Sequence, residues 1–99
     1  MIDVAKQIIK LRASLHMNDP KIEEYRQELI TVLSEDSKKT IDFLMSCTKD
    51  EILYSSEVFE EVAYNLQSVE YLKCLRFIDK QNPELNLTRC VEVAESYMN

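Results

Sequence analysis

The chain of 99 residues contains no glycine. Phosphate-cradling loops and dinucleotide fingerprints need glycine where the backbone approaches the phosphates, so both are excluded. A left-handed residue at a helix end must then be another type, usually asparagine, and Asn18, Asn82 and Asn65 stand where one is wanted. There is a single histidine, His16, so no multi-histidine metal site and no two-histidine pair can form. At the end of the first predicted helix it suits a cation against the helix dipole. The Glu-x-x-His motif of di-metal bundles is missing, and Ser55 and Ser56 have no nearby His or Lys to activate them. Adjacent acids Glu23/Glu24 and Glu60/Glu61 point to different helix faces, and Glu57/Glu61 share a face with no basic or histidine companion. No catalytic residue, metal ion or cofactor is expected, and the chain reads as a non-enzyme.

Long apolar runs are missing as well. None approaches a membrane span, and the opening MIDVAKQIIKL holds none long enough for a signal-peptide core. The expectation is a cytoplasmic protein without membrane association. Cysteine is sparse: Cys47, Cys74 and Cys90 are odd in number, widely spaced and set among apolar or helical neighbours. That suits reduced, buried thiols better than a disulfide framework or a zinc site. Only Cys90, near the start of the last predicted helix, has a setting that favours reactivity.

What remains is helical. Strand-like alternation is absent, and no glycine-containing hairpin turn exists. The predicted helices run over 2–16, 20–33, from Asp36 or Ser34 to about Cys47, from Thr48 onward, 69–81 and 88–97. Asp19-Pro20 opens the second as N-cap and first helical residue, Thr48 to Glu51 is a capping box, and Ser68 caps the fifth. The buried set of the third is Ile41, Phe43, Leu44 and Met45, while Tyr71, Leu72, Leu75, Phe77 and Ile78 form that of the fifth. Leu85 and Leu87 plug the core from the link. The expected fold is one all-α domain over 1–99, six helices in three antiparallel hairpins, either a short helical-repeat stack or a compact bundle. Tyr54-Ser55-Ser56-Glu57 is an open point: the serines compete for backbone hydrogen bonds, and Ser56 can recap a second segment.

Charge is unevenly placed. Residues 1–49 carry eight acids and eight bases, residues 50–99 ten acids and four bases, giving the net charge of −6. Such a surface repels nucleic-acid phosphates and anionic membranes and steers basic proteins toward it. Between Asp50 and Leu72 there are six carboxylates and no Lys or Arg. On one continuous helix, Ile52, Ser56, Phe59, Val62, Ala63 and Leu66 share one side, and Asp50, Tyr54, Glu57, Glu61 and Tyr64 the other. A solvated face has no need of tyrosine, whereas a protein-binding face gains from its large, stiff ring. The stripe reads as a docking surface for something basic, with Tyr54 and Tyr64 as anchors, Glu57 and Glu61 as charged contacts, and Glu60 and Asp50 as rim. The competing reading has ordinary solubilising acids and tyrosines lying against a neighbouring helix. A real break at the serines keeps Glu57, Glu61 and Tyr64 together and detaches Tyr54 and Asp50.

The run YSSEVFEEVA from Tyr54 to Ala63, SVEYLKCL from Ser68 to Leu75 and NPELNL from Asn82 to Leu87 together resemble small helical immunity proteins encoded beside bacterial polymorphic or contact-dependent toxins. The resemblance covers about the last fifty residues. It implies a protein that binds a cognate toxin domain, very often a basic nuclease, and blocks its active site or substrate channel. Two other functions compete. One is a nucleic-acid mimic whose carboxylates occupy DNA-binding proteins. The other is a helical homodimer or scaffold in which Tyr54 and Tyr64 bury against a second copy, with Glu57 and Glu61 opposite Lys38, Lys39 or Arg26 of that copy. Direct nucleic-acid binding is not expected.

Overall fold

Most helices begin where a side chain can take up a free backbone N–H. The computed structural model describes residues 2–99, and no strand occurs among them. The helices are α1 Ile2–Ala13, α2 Lys21–Leu33, α3 Ser37–Met45, α4 Lys49–Ser56, α5 Phe59–Leu66, α6 Val69–Gln81 and α7 Thr88–Ser96, with a 3-10 turn at Pro83–Leu85. Asp19 Oδ1 accepts from the Lys21 N–H at 2.9 Å, and Asp36 Oδ1 from Lys39 N–H at 3.0 Å. Both halves of the Thr48 capping box form, Glu51 N–H to Thr48 Oγ1 at 3.2 Å and Thr48 N–H to Glu51 Oε1 at 2.8 Å. Ser68 Oγ takes the Tyr71 N–H at 3.1 Å. Each such cap stabilises its helix by about 1 kcal/mol.

Among the described residues there are seven α-helices, because the fourth predicted helix divides. Its break lies at Glu57-Val58, with Val58 at φ −121°, ψ 11°. Ser56 does not recap the second segment: its hydroxyl turns back to the Leu53 carbonyl, and α5 begins without a side-chain cap. α1 also stops at Ala13, short of His16, where Ser14 Oγ donates back to the Leu11 carbonyl and tightens the last turn.

The left-handed residues are not the expected asparagines. Among the described residues, Gln67 at φ 46° and Asn86 at φ 55° are the two with positive φ. A glutamine there costs about 1–2 kcal/mol, and its own side chain compensates. Gln67 Nε2 donates to the Tyr64 and Tyr97 carbonyls, each at 2.9 Å, and Oε1 accepts from Asn99 N–H at 2.8 Å. Gln67 thus ties the end of α5 to the end of α7.

The core is continuous through all seven helices and includes Leu33, Phe43, Val58, Phe59, Val62, Tyr71, Leu75 and Leu87. Leu87 plugs it as expected, and the Tyr71 hydroxyl, buried with its ring, donates to the Phe59 carbonyl at 3.4 Å. Two predicted core residues lie outside it. Met45 and Phe77 are 55% and 48% exposed, because they line an open groove between α3 and α6 while Phe43, Leu44, Tyr71 and Leu75 of the same helices fill the core. The helices do not pair strictly in sequence. α1 packs on α2, but α3 lies chiefly on α6, α4 on α1, and α5 on α7. With extents of 32 × 29 × 23 Å and a radius of gyration of 12.5 Å, close to the value for a globular chain of this length, the fold is a compact bundle and not a stack.

Candidate protein-binding site

The break at Glu57-Val58 turns the single stripe into two surfaces. Asp50, Tyr54 and Glu57 line an open groove of about 880 Å³ between α1 and α4. Glu60, Glu61 and Tyr64 line a second one, about 400 Å³, whose floor is the outward side of α5. Its walls come from α2 at Gln27 and Ile30 and from the end of α7 at Tyr97. Glu57 therefore goes with Tyr54 and Asp50, not with Tyr64.

In the first groove the acids have companions after all. Arg12, from α1, makes a two-pronged bond to Glu57, Nη2 to Oε2 at 2.8 Å and Nε to Oε1 at 3.2 Å. Its guanidinium also lies 5.3 Å from the centroid of the Tyr54 ring. Fork geometry and a π-face together make this a specific arginine site. Lys6 donates to Glu51 Oε1 at 3.0 Å and to the Ser46 carbonyl at 3.3 Å. The Thr48 backbone bond and then Lys6 hold the Glu51 carboxyl below its ordinary value, and the bond to Glu51 raises Lys6. Asp50 stays exposed at the groove edge.

Across the break, Arg26 of α2 binds the Glu61 carboxylate through Nη2, and the same nitrogen reaches the Glu57 carbonyl at 3.4 Å. That carbonyl is one of those the end of α4 leaves without a helical partner. Arg26 therefore ties the two short helices together, while Arg12 fastens the end of α4 to α1. The apparent isolation of Glu57 and Glu61 was a property of the linear sequence. Their bases come from 45 and 35 positions away.

Four acids of the second half, Glu51, Glu57, Glu61 and Glu84, pair with Lys6, Arg12, Arg26 and Lys49 of the first. The free negative charge consequently moves. α2 keeps Glu24 and Glu28 exposed on its outward face, on either side of Gln27, which donates to Glu23 at 2.9 Å.

In the trough, Tyr64 is 61% exposed and Tyr97 46%, their rings meeting edge to face at 6.4 Å and 88°. Glu60 is half-buried and makes no ion pair among the described residues. No lysine or arginine lines the trough. Asn65 donates to Ser34 Oγ at 2.9 Å and closes the α2 end. Tyr97 could not be found from local pattern, because only the docking of α7 on α5 brings it beside Tyr64. Of the six residues expected at the site, Glu60, Glu61 and Tyr64 are together in the trough. Tyr54 and Glu57 are occupied by Arg12 in the other groove, with Asp50 exposed at its edge.

All three cysteines are free thiols. Burial pushes Cys47 up to about 12 and Cys74 up to about 11, which makes both poor nucleophiles. No group of three or more potential metal ligands occurs among the described residues, and no helix there is long and apolar enough to cross a membrane.

Comparison with protein-family models, curated proteins and solved structures returns no match.

Proposed function

We propose that the chain is an immunity-type inhibitor that binds a cognate basic toxin domain, nuclease-like in charge, of a bacterial polymorphic or contact-dependent system and neutralises it by occlusion in the cytoplasm. The observation that carries this reading is the α5 trough. Two tyrosines stand about half exposed beside Glu60 and Glu61, and Glu60 has no ion pair among the described residues. Aromatic anchors ringed by acids suit a cationic protein surface: the charge speeds encounter, and the buried rings slow dissociation. Because Glu51, Glu57 and Glu61 are held by bases within the chain, few carboxylates along α4 and α5 are free to imitate a row of phosphates. That favours one cationic partner over nucleic-acid mimicry.

The test is capture of a small basic protein from native host lysate, followed by its expression in bacterial cells with and without this chain. The expected result is growth arrest by the captured protein alone, rescue by the wild-type chain, and weak rescue by a folded Tyr64→Ala/Glu60→Lys variant. A captured protein that is harmless, or rescue undiminished in the variant, would remove the reading.

A second reading rests on a separate surface. Ile41, Met45, Cys74 and Phe77 line an open, largely apolar groove of about 430 Å³ between α3 and α6, where Met45 and Phe77 are exposed. Such a patch suits a homodimer contact. Sedimentation at two concentrations decides it: a mass that doubles with concentration in the wild type and not in Phe77→Lys supports the dimer.

A further inference from the structure

The chain already contains one arginine site, and its components recur, without the arginine, in the α5 trough. At the first, Arg12 is held by the Tyr54 ring on its face and by the Glu57 carboxylate at its edge, an aromatic and an acid three residues apart. In the trough, Glu60 and Tyr64 stand four residues apart, one helical turn, so the carboxylate and ring again lie side by side. Tyr97 adds a second ring, set edge to face against the first, which leaves a ring face toward solvent. Of the guanidinium groups nearby, Arg26 is consumed by Glu61 and the Glu57 carbonyl, and Arg89 of α7 lies outside the trough, lining a separate small cavity on the other side of Glu60 without an ion pair to it.

Resting on the inhibitor reading above, we propose that the trough receives an arginine side chain of the partner, its guanidinium stacked on Tyr64 or Tyr97 and bonded to Glu60. Arginine fits better than lysine because the planar, weakly hydrated guanidinium can lie on a ring face and still donate edgewise to a carboxylate. A lysine ammonium would have to shed a tighter water shell to reach the same place. The volume of about 400 Å³ suits one or two side chains, so the trough serves as the central anchor of the contact.

The test titrates the intact, isotope-labelled protein with N-acetyl-arginine amide and, separately, N-acetyl-lysine amide, following the ring signals of Tyr64 and Tyr97 by NMR. The arginine probe is expected to shift these signals saturably and to bind at least about three-fold more tightly than the lysine probe. Glu60→Gln and Tyr64→Leu, each confirmed folded, are expected to erase that preference. Equal response to both probes, no saturable response, or arginine-dependent shifts centred elsewhere would overturn the inference. If a toxin is neutralised while the arginine probe fails, the inference falls and the inhibitor reading stands. If the probe binds in the trough while no toxin is found, the arginine site stands and the inhibitor reading falls.

Discussion

Tyr54 and Glu57 at the α1–α4 groove hold Arg12, whereas Tyr64 and Glu60 above α5 hold no cation. The side-chain types are the same, yet the first pair is engaged by a base from another helix and the second by none in the trough. The difference is what packs opposite. α4 faces α1, which brings Arg12 and Lys6, while the outward side of α5 lies between Gln27 and Ile30 of α2 and the tyrosine end of α7, which bring no free base. An acidic-aromatic stripe is therefore neither structural nor functional by composition. The element across from it decides.

The contrast breaks most visibly by charge reversal on the clasped side. Glu57→Lys/Glu61→Lys would set two ammonium groups beside Arg12 and Arg26 and unpick the junction of α4 and α5. The carboxylates are about a third exposed, which tempers the effect, and a loss of about 2–3 kcal/mol is expected. Urea unfolding should show it as a lower midpoint at unchanged slope. Loss of partner binding in that variant would report a damaged fold and not a removed contact.

Next in size is the tie that holds the trough's two tyrosines in place. Gln67→Ala keeps the left-handed backbone but removes three side-chain bonds, and should cost about 1–2 kcal/mol. Gln67→Gly removes the same bonds while relieving the backbone strain, so its loss should be smaller. If both lose equally, the left-handed backbone at φ 46° carries no strain for glycine to relieve, and a loss near zero in both would mean that the side-chain bonds contribute nothing.

How far these features were legible follows from their range in sequence. Asp19, Asp36, Thr48 with Glu51, and Ser68 act on N–H groups two or three residues away, so their caps were readable and the helix starts followed. The apolar spacing likewise placed Phe59, Val62 and Ala63 in the core. What depends on one helix finding another was not readable: the bases of Glu57 and Glu61, the meeting of Tyr64 with Tyr97, and the exposure of Met45 and Phe77 at the margin of the α3–α6 contact. Gln67 falls in the same class, since a glutamine becomes a good left-handed residue only when distant carbonyls hold its amide.

A smaller effect sharpens the clasped side through pH. The Glu51 carboxyl lies below its ordinary value of 4.5 in the folded chain. Its contribution is therefore complete above that value and fades as pH falls through the lower folded one. Glu51→Gln keeps the capping geometry, because an amide oxygen still accepts from Thr48, but it cannot titrate. The variant should lose part of the wild-type fall in stability below pH 4.5 while differing from it by less than about 1 kcal/mol at neutral pH. Unfolding free energies measured across the acid range check this. An unchanged slope would mean that other carboxylates govern acid unfolding.

The smallest expected change in stability belongs to the trough itself. Tyr64 is mostly in water, and Glu60 has no ion-pair partner to lose among the described residues, so Tyr64→Leu and Glu60→Gln should each shift the unfolding free energy by no more than about 0.5 kcal/mol. Tyr54→Leu should cost about 1 kcal/mol, because it strips Arg12 of its ring. Thermal unfolding of the three variants side by side makes the comparison. Near-silence at Tyr64 and Glu60 against a clear loss at Tyr54 separates a surface kept for another molecule from one used by the fold. Comparable losses at all three would place Tyr64 among the supports of α7, and its exposure would then be incidental to packing on Tyr97.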